Sequence, residues 1–249
     1  MTMDLQLIGP TDKFPPARLV DPPARGYIHL AAAVEPPSGR APFARGSEQK
    51  AQLLERLKSM AGDLADRDDV DKVTVYDAVL IPPPAGYARR HGVHHARYDV
   101  VVLIETTSPE VIGQVQETEQ YRILHDALVA AATDVHVMAA RCTRSLGDVD
   151  KSRPGLFLFN YFVAEDADLA VELWEHLSGW FVKQSGLNNS TLLVPIDKSD
   201  YVFVNHARWD YGIPRLMLHQ VAKPSFRSYV LTNLLVNRTG AMPVFYHLA

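Results

Sequence analysis

The chain has one cysteine, Cys142, in 249 residues. It cannot build an intramolecular disulfide framework, and a single thiol fits a reducing cytoplasm. It also lacks any apolar run near the roughly 20 residues that cross a bilayer, so no membrane partner is expected. Residues 1–23 have no signal-peptide core, because Asp4 and Asp12 interrupt them. Positive charge is not in excess: the net charge is −4, which offers no field for nucleic acid. GxGxxG, Walker and GxSxG motifs are missing, which argues against nucleotide enzymes and common hydrolases. What remains is an ordinary globular composition, long enough for one large or two modest cores.

Proline and hydrophobic periodicity organise the chain. Residues 1–25 carry Pro10, Pro15, Pro16, Pro22 and Pro23. Proline donates no backbone hydrogen bond, so this stretch reads as an arm lying across the body or a neighbouring subunit. Residues 26–34 (GYIHLAAAV) read as a strand. A helix capped by Ser47 follows, with Leu53, Leu54, Leu57, Met60, Ala61 and Leu64 on one stripe. Strands are expected over 70–81 and 98–105, then a helix opened by Ser108 and Pro109, then a strand over 134–143. After the polar linker 147–153 a similar order returns. It comprises a strand over 155–163, a helix after Asp166, strands over 190–196 and 201–209 joined by a polar turn, a short helix over 213–221, a helix capped by Ser225, and a closing strand over 242–248.

The pattern β-α-β-β-α-β thus occurs twice. The expected fold is α+β: two tandem ferredoxin-like repeats, 26–146 and 154–249, with antiparallel sheets that face each other as a barrel. A barrel closed within one chain leaves other surfaces for any homodimer, with the arm 1–25 as the segment crossing to a neighbour.

The second repeat resembles the antibiotic-biosynthesis monooxygenase type of the dimeric α/β-barrel superfamily. The resemblance rests on the helix ending in Ser185-Gly186-Leu187, the strand ending in Arg208-Trp209-Asp210, then His219, Pro224-Ser225-Phe226, a helix, and a last strand ending in Tyr246. The first repeat shares the element order and Tyr121. The resemblance implies a small-molecule cavity between each sheet and its helices, and cofactor-independent oxidation of an aromatic or quinol-like substrate that itself reduces dioxygen. Haem-binding relatives imply haem as an alternative cofactor. Haem-degrading members carry a strand asparagine, a helix tryptophan and an axial histidine, and here these are split. Asn160 resembles the asparagine, while the histidine and tryptophan places in that repeat fall near Val230 and Gln220. His125 resembles the axial histidine, but in the other repeat. A non-catalytic ligand- or haem-binding protein and an isomerase or cyclase are the alternative functions.

Four residues are the candidates for chemistry. His125, four residues after Tyr121 on an apolar helix stripe, is expected to be buried, as a base, a haem ligand or a bonded core histidine. Asn160 sits among large apolar residues in FLFNYF, where its amide either orients a substrate or dioxygen or ties down a strand irregularity. His206 and Arg208 share one strand face with Val202 and Val204, leaving Tyr201, Phe203, Asn205 and Trp209 on the other. Arg208 could bind an anionic or quinone-like oxygen, or belong to a solvated or interface face. The loop holding Arg89, Arg90, His91, His94, His95 and Arg97 is expected at a pocket mouth rather than at a metal. Cys142 reads as an inert buried thiol, and Trp174 and Trp180 as helix core.

Overall fold

In the computed structural model, residues 4–37, 42–44, 46–89 and 93–249 are described. His91 and Arg90 of the histidine loop lie outside them. The elements are β1 (Gly26–Ala33), α1 (Glu48–Ala65), β2 (Val70–Leu80), β3 (Ala85–Gly86), β4 (Val100–Thr106), α2 (Ile112–Gln116), α3 (Glu119–Ala131) and β5 (Asp134–Gly147). They continue as β6 (Leu156–Ala164), α4 (Ala167–Ser185), β7 (Ser190–Pro195), β8 (Phe203–Trp209), α5 (Ile213–His219), α6 (Thr232–Val236) and β9 (Thr239–Leu248). A π-helical turn, Phe226–Leu231, leads into α6.

The strands run in the order β2-β4-β1-β5-β7-β8-β6-β9, and β2 pairs with β9 to close an eight-stranded barrel; the short β3 adds to β9. Every pairing is antiparallel. Closure removes the free edges that would otherwise invite aggregation. The barrel is a packed core. Strand alternation sends Tyr76, Phe157, Phe159, Tyr161 and Tyr246 inward, where all are essentially inaccessible.

Helices cover the outer faces. In the first half, α1 and α3 lay Leu53, Leu57, Leu64, Tyr121, Leu124 and Leu128 onto Ile28, Leu30, Val102 and Ile104. The charged end of α1 is anchored inside: Lys50 Nζ lies 2.6 Å from Asp77 Oδ1 and 2.9 Å from Asp99 Oδ2. Burial opposes the charge on Lys50, but Asp99 and Asp77 outweigh it and raise the pKa. Asp99 also accepts the Val34 and Glu35 N–H groups, so its buried carboxylate is satisfied.

Two elements differ from the sequence expectation for identifiable reasons. The helix expected from Ser108 is broken at Thr118, whose hydroxyl both bonds the Val115 carbonyl and caps α3 by accepting the Tyr121 N–H. Ser225 does not cap the last helix with its side chain. Its hydroxyl instead accepts the Trp180 indole N–H at 3.0 Å, and the chain enters α6 through the π turn.

The proline arm lies on its own body. Phe14 is buried against Tyr229, and the Pro15 carbonyl sits so close to Gly179 that a Cβ there would meet it at 1.8 Å. Asn237 accepts the Gln6 N–H at 2.9 Å and donates to the Gln6 carbonyl at 2.7 Å. One helical turn earlier, Asn233 does the same for Ile8, at 2.7 and 2.8 Å. Two side-chain amides thus stand in for a strand partner of the extended arm. Residues 4–25 thus form an intramolecular strap.

Candidate functional site

The alternation that points Phe157, Phe159 and Tyr161 into the barrel turns Leu158, Asn160 and Phe162 outward, toward α4. There the sheet and helices do not close. A cavity of about 450 Å³ opens between β6, β8 and β9 on one side and α4, α5 and the π turn on the other. Leu173, Trp174, Leu177, Trp209, Met217 and Phe245 dominate its wall. Pro42, Phe43, Pro82, Pro83 and Arg89 from the first half complete it. Phe43 is 57% exposed, which places this side at the mouth. The corresponding place in the first half holds the apolar cluster under α1 and α3.

Part of the cavity comes from the π turn. Its extra residue per turn swings Phe226, Val230 and Leu231 over the opening, and the Thr232 hydroxyl bonds the Arg227 carbonyl at 3.0 Å to support the widened turn.

The polar part of the wall is small. Asn160 faces Asn205 directly across β6 and β8, and both line the cavity with Ser190. The Ser190 hydroxyl lies 2.5 Å from Asn205 Oδ1. The enclosed Oδ1 of Asn160 has no hydrogen-bond partner. An amide oxygen in that state costs about 1–3 kcal/mol, which is a reason to look for what satisfies it. Among the described residues the lining contains no histidine, aspartate, glutamate, lysine, tyrosine or cysteine. Arg89 is the one charged side chain among the described lining residues, and its Nε donates to the Pro84 carbonyl at 2.7 Å.

The other sequence candidates lie elsewhere. His125 is on the flank of α3, its side chain 32% exposed, with Nδ1 3.1 Å from Asp126 Oδ1 and its ring stacked on Tyr121. The expected burial is wrong because Tyr121, Leu124 and Leu128 form the buried line and His125 falls beside it. His206 points into the barrel. Nδ1 donates to the Leu158 carbonyl at 3.0 Å, which leaves Nε2 to accept from the Tyr76 hydroxyl at 3.2 Å. Burial, aided by Lys151, holds this imidazole neutral, far below its ordinary pKa. Arg208 closes one end of the barrel. Its Nη2 donates to the Pro154 carbonyl at 2.6 Å and its Nη1 pairs with Asp210 at 2.9 Å. Gly155 permits that packing, since a Cβ there would meet Arg208 Nε at 2.5 Å.

Asn160 is therefore the one sequence candidate that the fold brings to the cavity. Asn205, Ser190, Trp174 and Trp209 join it. Their signal was present: Asn205 and Trp209 fall on the strand face opposite His206 and Arg208, and the histidine drew attention to the wrong face. In the histidine loop, His94 pairs with Asp134 at 2.8 Å and His95 with the Ala88 carbonyl at 3.1 Å. No group of three metal-ligating side chains occurs among the described residues. Burial pushes the Cys142 thiol up to about 11, as an inert thiol requires. No helix among the described residues is long and apolar enough to cross a membrane.

The cavity does not suit a haem. Val230 and Gln220 line it at the places where the resemblance would put an axial histidine and a tryptophan. Among the described residues no imidazole, thiolate or phenolate faces the space, and propionates would find Arg89 alone.

Solved structures share the architecture. An anthrone oxidase-like protein matches with a TM-score of 0.65 at 11% identity, over 93% of this chain and 94% of that one. A putative monooxygenase from Fusobacterium nucleatum subsp. nucleatum matches at 0.54 and 6% identity, over 90% and 91%. A putative chlorite dismutase matches at 0.51 and 11%, over 91% and 95%. The chain shares their fold, an antiparallel barrel with helices on its outer faces. At such identities the likeness speaks for the fold alone. No protein-family model and no curated protein matches the chain.

Proposed function

We propose that the second half binds a small, largely apolar aromatic molecule between its sheet and helices, and that the protein is an oxidoreductase of the cofactor-independent monooxygenase type. The observation that carries this reading is the aromatic-walled cavity with the unsatisfied amide of Asn160 in its wall. Such cavities, apolar with a few convergent polar groups, are the usual form of small-molecule sites. The names of the anthrone oxidase-like and monooxygenase neighbours supply the reaction class.

In this chemistry an activated methylene of the substrate takes one oxygen atom of O₂ and becomes a carbonyl, and its two hydrogens leave with the other oxygen as water. The substrate is the reductant. The chain excludes water, and its amides hydrogen-bond the substrate oxygen as charge builds on it. The proton leaves to the substrate's own oxygens or to solvent at the mouth, since no side-chain base lines the wall among the described residues.

That missing base also favours a second reading, a non-catalytic carrier of the same ligand. An oxygen electrode separates the two. With 1,8-dihydroxyanthrone, the oxidoreductase consumes O₂ in proportion to protein and forms the corresponding quinone. Binding with O₂ uptake at the protein-free rate leaves the carrier.

We further propose that 26–146 and 154–249 are tandem ferredoxin-like copies, with 1–25 an added strap. Each half orders its strands fourth, first, third, second, which supports this. Closing the barrel within one chain directs any homodimer to other surfaces. The lone buried Cys142 fits a cytoplasmic setting.

A further inference from the structure

The surroundings of Asn205 are built to hold its amide in place. Ser190, which holds its amide, is wholly inaccessible. The Ser190 Oγ lies 2.5 Å from Asn205 Oδ1 and 3.3 Å from the His206 carbonyl. A hydroxyl has one proton to donate, and the shorter contact takes it. The Asn205 amide stands with its oxygen toward Ser190, which leaves its nitrogen for the cavity. Directly across the strands stands Asn160, whose oxygen lacks a donor. Residues so paired have Cβ atoms about 5 Å apart. The wall therefore offers a donor and an unsatisfied acceptor side by side, within a mostly apolar space.

We infer that Ser190, Asn205 and Asn160 form a recognition element for an uncharged planar ligand whose edge carries a carbonyl next to an N–H or O–H group. The carbonyl accepts from Asn205 Nδ2, and the neighbouring donor satisfies Asn160 Oδ1. Charge is selected against, because this part of the wall has no ionic partner and burying an unpaired charge is costly. Asn205 is the specificity residue and Ser190 a positioning residue that acts through it. The inference rests on the second-half cavity being the ligand site, and is independent of whether the ligand is oxidised.

Three two-ring probes test it by calorimetry: 2-quinolone, with adjacent carbonyl and N–H; N-methyl-2-quinolone, with the carbonyl alone; and naphthalene, with neither. The wild-type chain is expected to bind 2-quinolone at least tenfold more tightly than either of the others. Asn205→Leu should abolish that preference and retain naphthalene binding, which also shows that the variant is folded. Ser190→Ala should reduce the preference several-fold, and Ser190→Thr, which keeps the hydroxyl, should restore it. A purely structural role for Ser190 would instead lower the melting temperature and leave the preference intact. Equal affinity for the three probes, or an unchanged preference in Asn205→Leu, overturns the inference. Failure of all three to bind overturns the cavity assignment as well. Preserved selectivity without O₂ consumption removes only the oxidoreductase reading.

Discussion

At the scale of the residue, the contrast between Asn160 and His125 is the most instructive. Both were visible in the sequence as polar groups in apolar patterns. A strand alternates strictly, so Asn160 had to share a face with Leu158 and Phe162, and it does. A helix stripe has soft edges, and His125 fell outside it. The Asn160 amide is kept at a cost, with an enclosed oxygen unpaired. Asn160→Leu should therefore raise stability by about 1 kcal/mol or more, as seen in urea unfolding, while weakening 2-quinolone binding. A destabilised variant would mean that the oxygen is already satisfied. His125→Ala should leave ligand binding unchanged and shift stability by less than about 0.5 kcal/mol, the usual range for a surface position. Loss of binding in that variant would return His125 to the site.

At the scale of the element, apolar periodicity located most strands and helices, and the departures came from side-chain hydrogen bonds that no periodicity encodes. Thr118 splits one helix, and Thr232 with Ser225 shapes the π turn. The strap is another such case. Prolines marked 1–25 as an arm, but its docking depends on Asn233 and Asn237, more than two hundred residues away in the chain. Each asparagine makes two bonds to the arm backbone, so Asn233→Ala with Asn237→Ala should release it. The expected readouts are rapid hydrogen exchange at the Gln6 and Ile8 amides and a loss of about 2–4 kcal/mol, at about 1 kcal/mol per bond. Amides that stay protected in the double variant would show that Phe14 and Pro15 alone hold the strap.

At the scale of the whole molecule, the two halves bury an aromatic interior that also contains His29, His136 and His206. Burial, with His136 nearby, lowers the pKa of His29 to about 3. Burial likewise lowers that of His136 to about 4, and that of His206 falls well below its usual value. In the unfolded chain each titrates near 6.5. Below that pH the unfolded state binds more protons, so stability falls as pH falls, by about 1.4 kcal/mol per pH unit for each neutral imidazole. Glu105, whose pKa burial raises, works in the opposite sense as one group against three. Urea midpoints should drop steeply between pH 7 and pH 5, and a flat profile would show that the imidazoles are charged in the folded barrel. The barrel's α+β character was legible in the alternation of strands with amphipathic helices. The asymmetry between the halves was not, because apolar residues that fill a space and apolar residues that line one read alike.

A crystal structure of the chain soaked with 2-quinolone shows which half holds the ligand. The account predicts ligand density between β6, β8 and α4, with the lactam edge against Asn160 and Asn205 and the rings between Trp174 and Trp209. Density under α1 and α3 in the first half, or inside the barrel beside His206, with the second-half space collapsed, would contradict it.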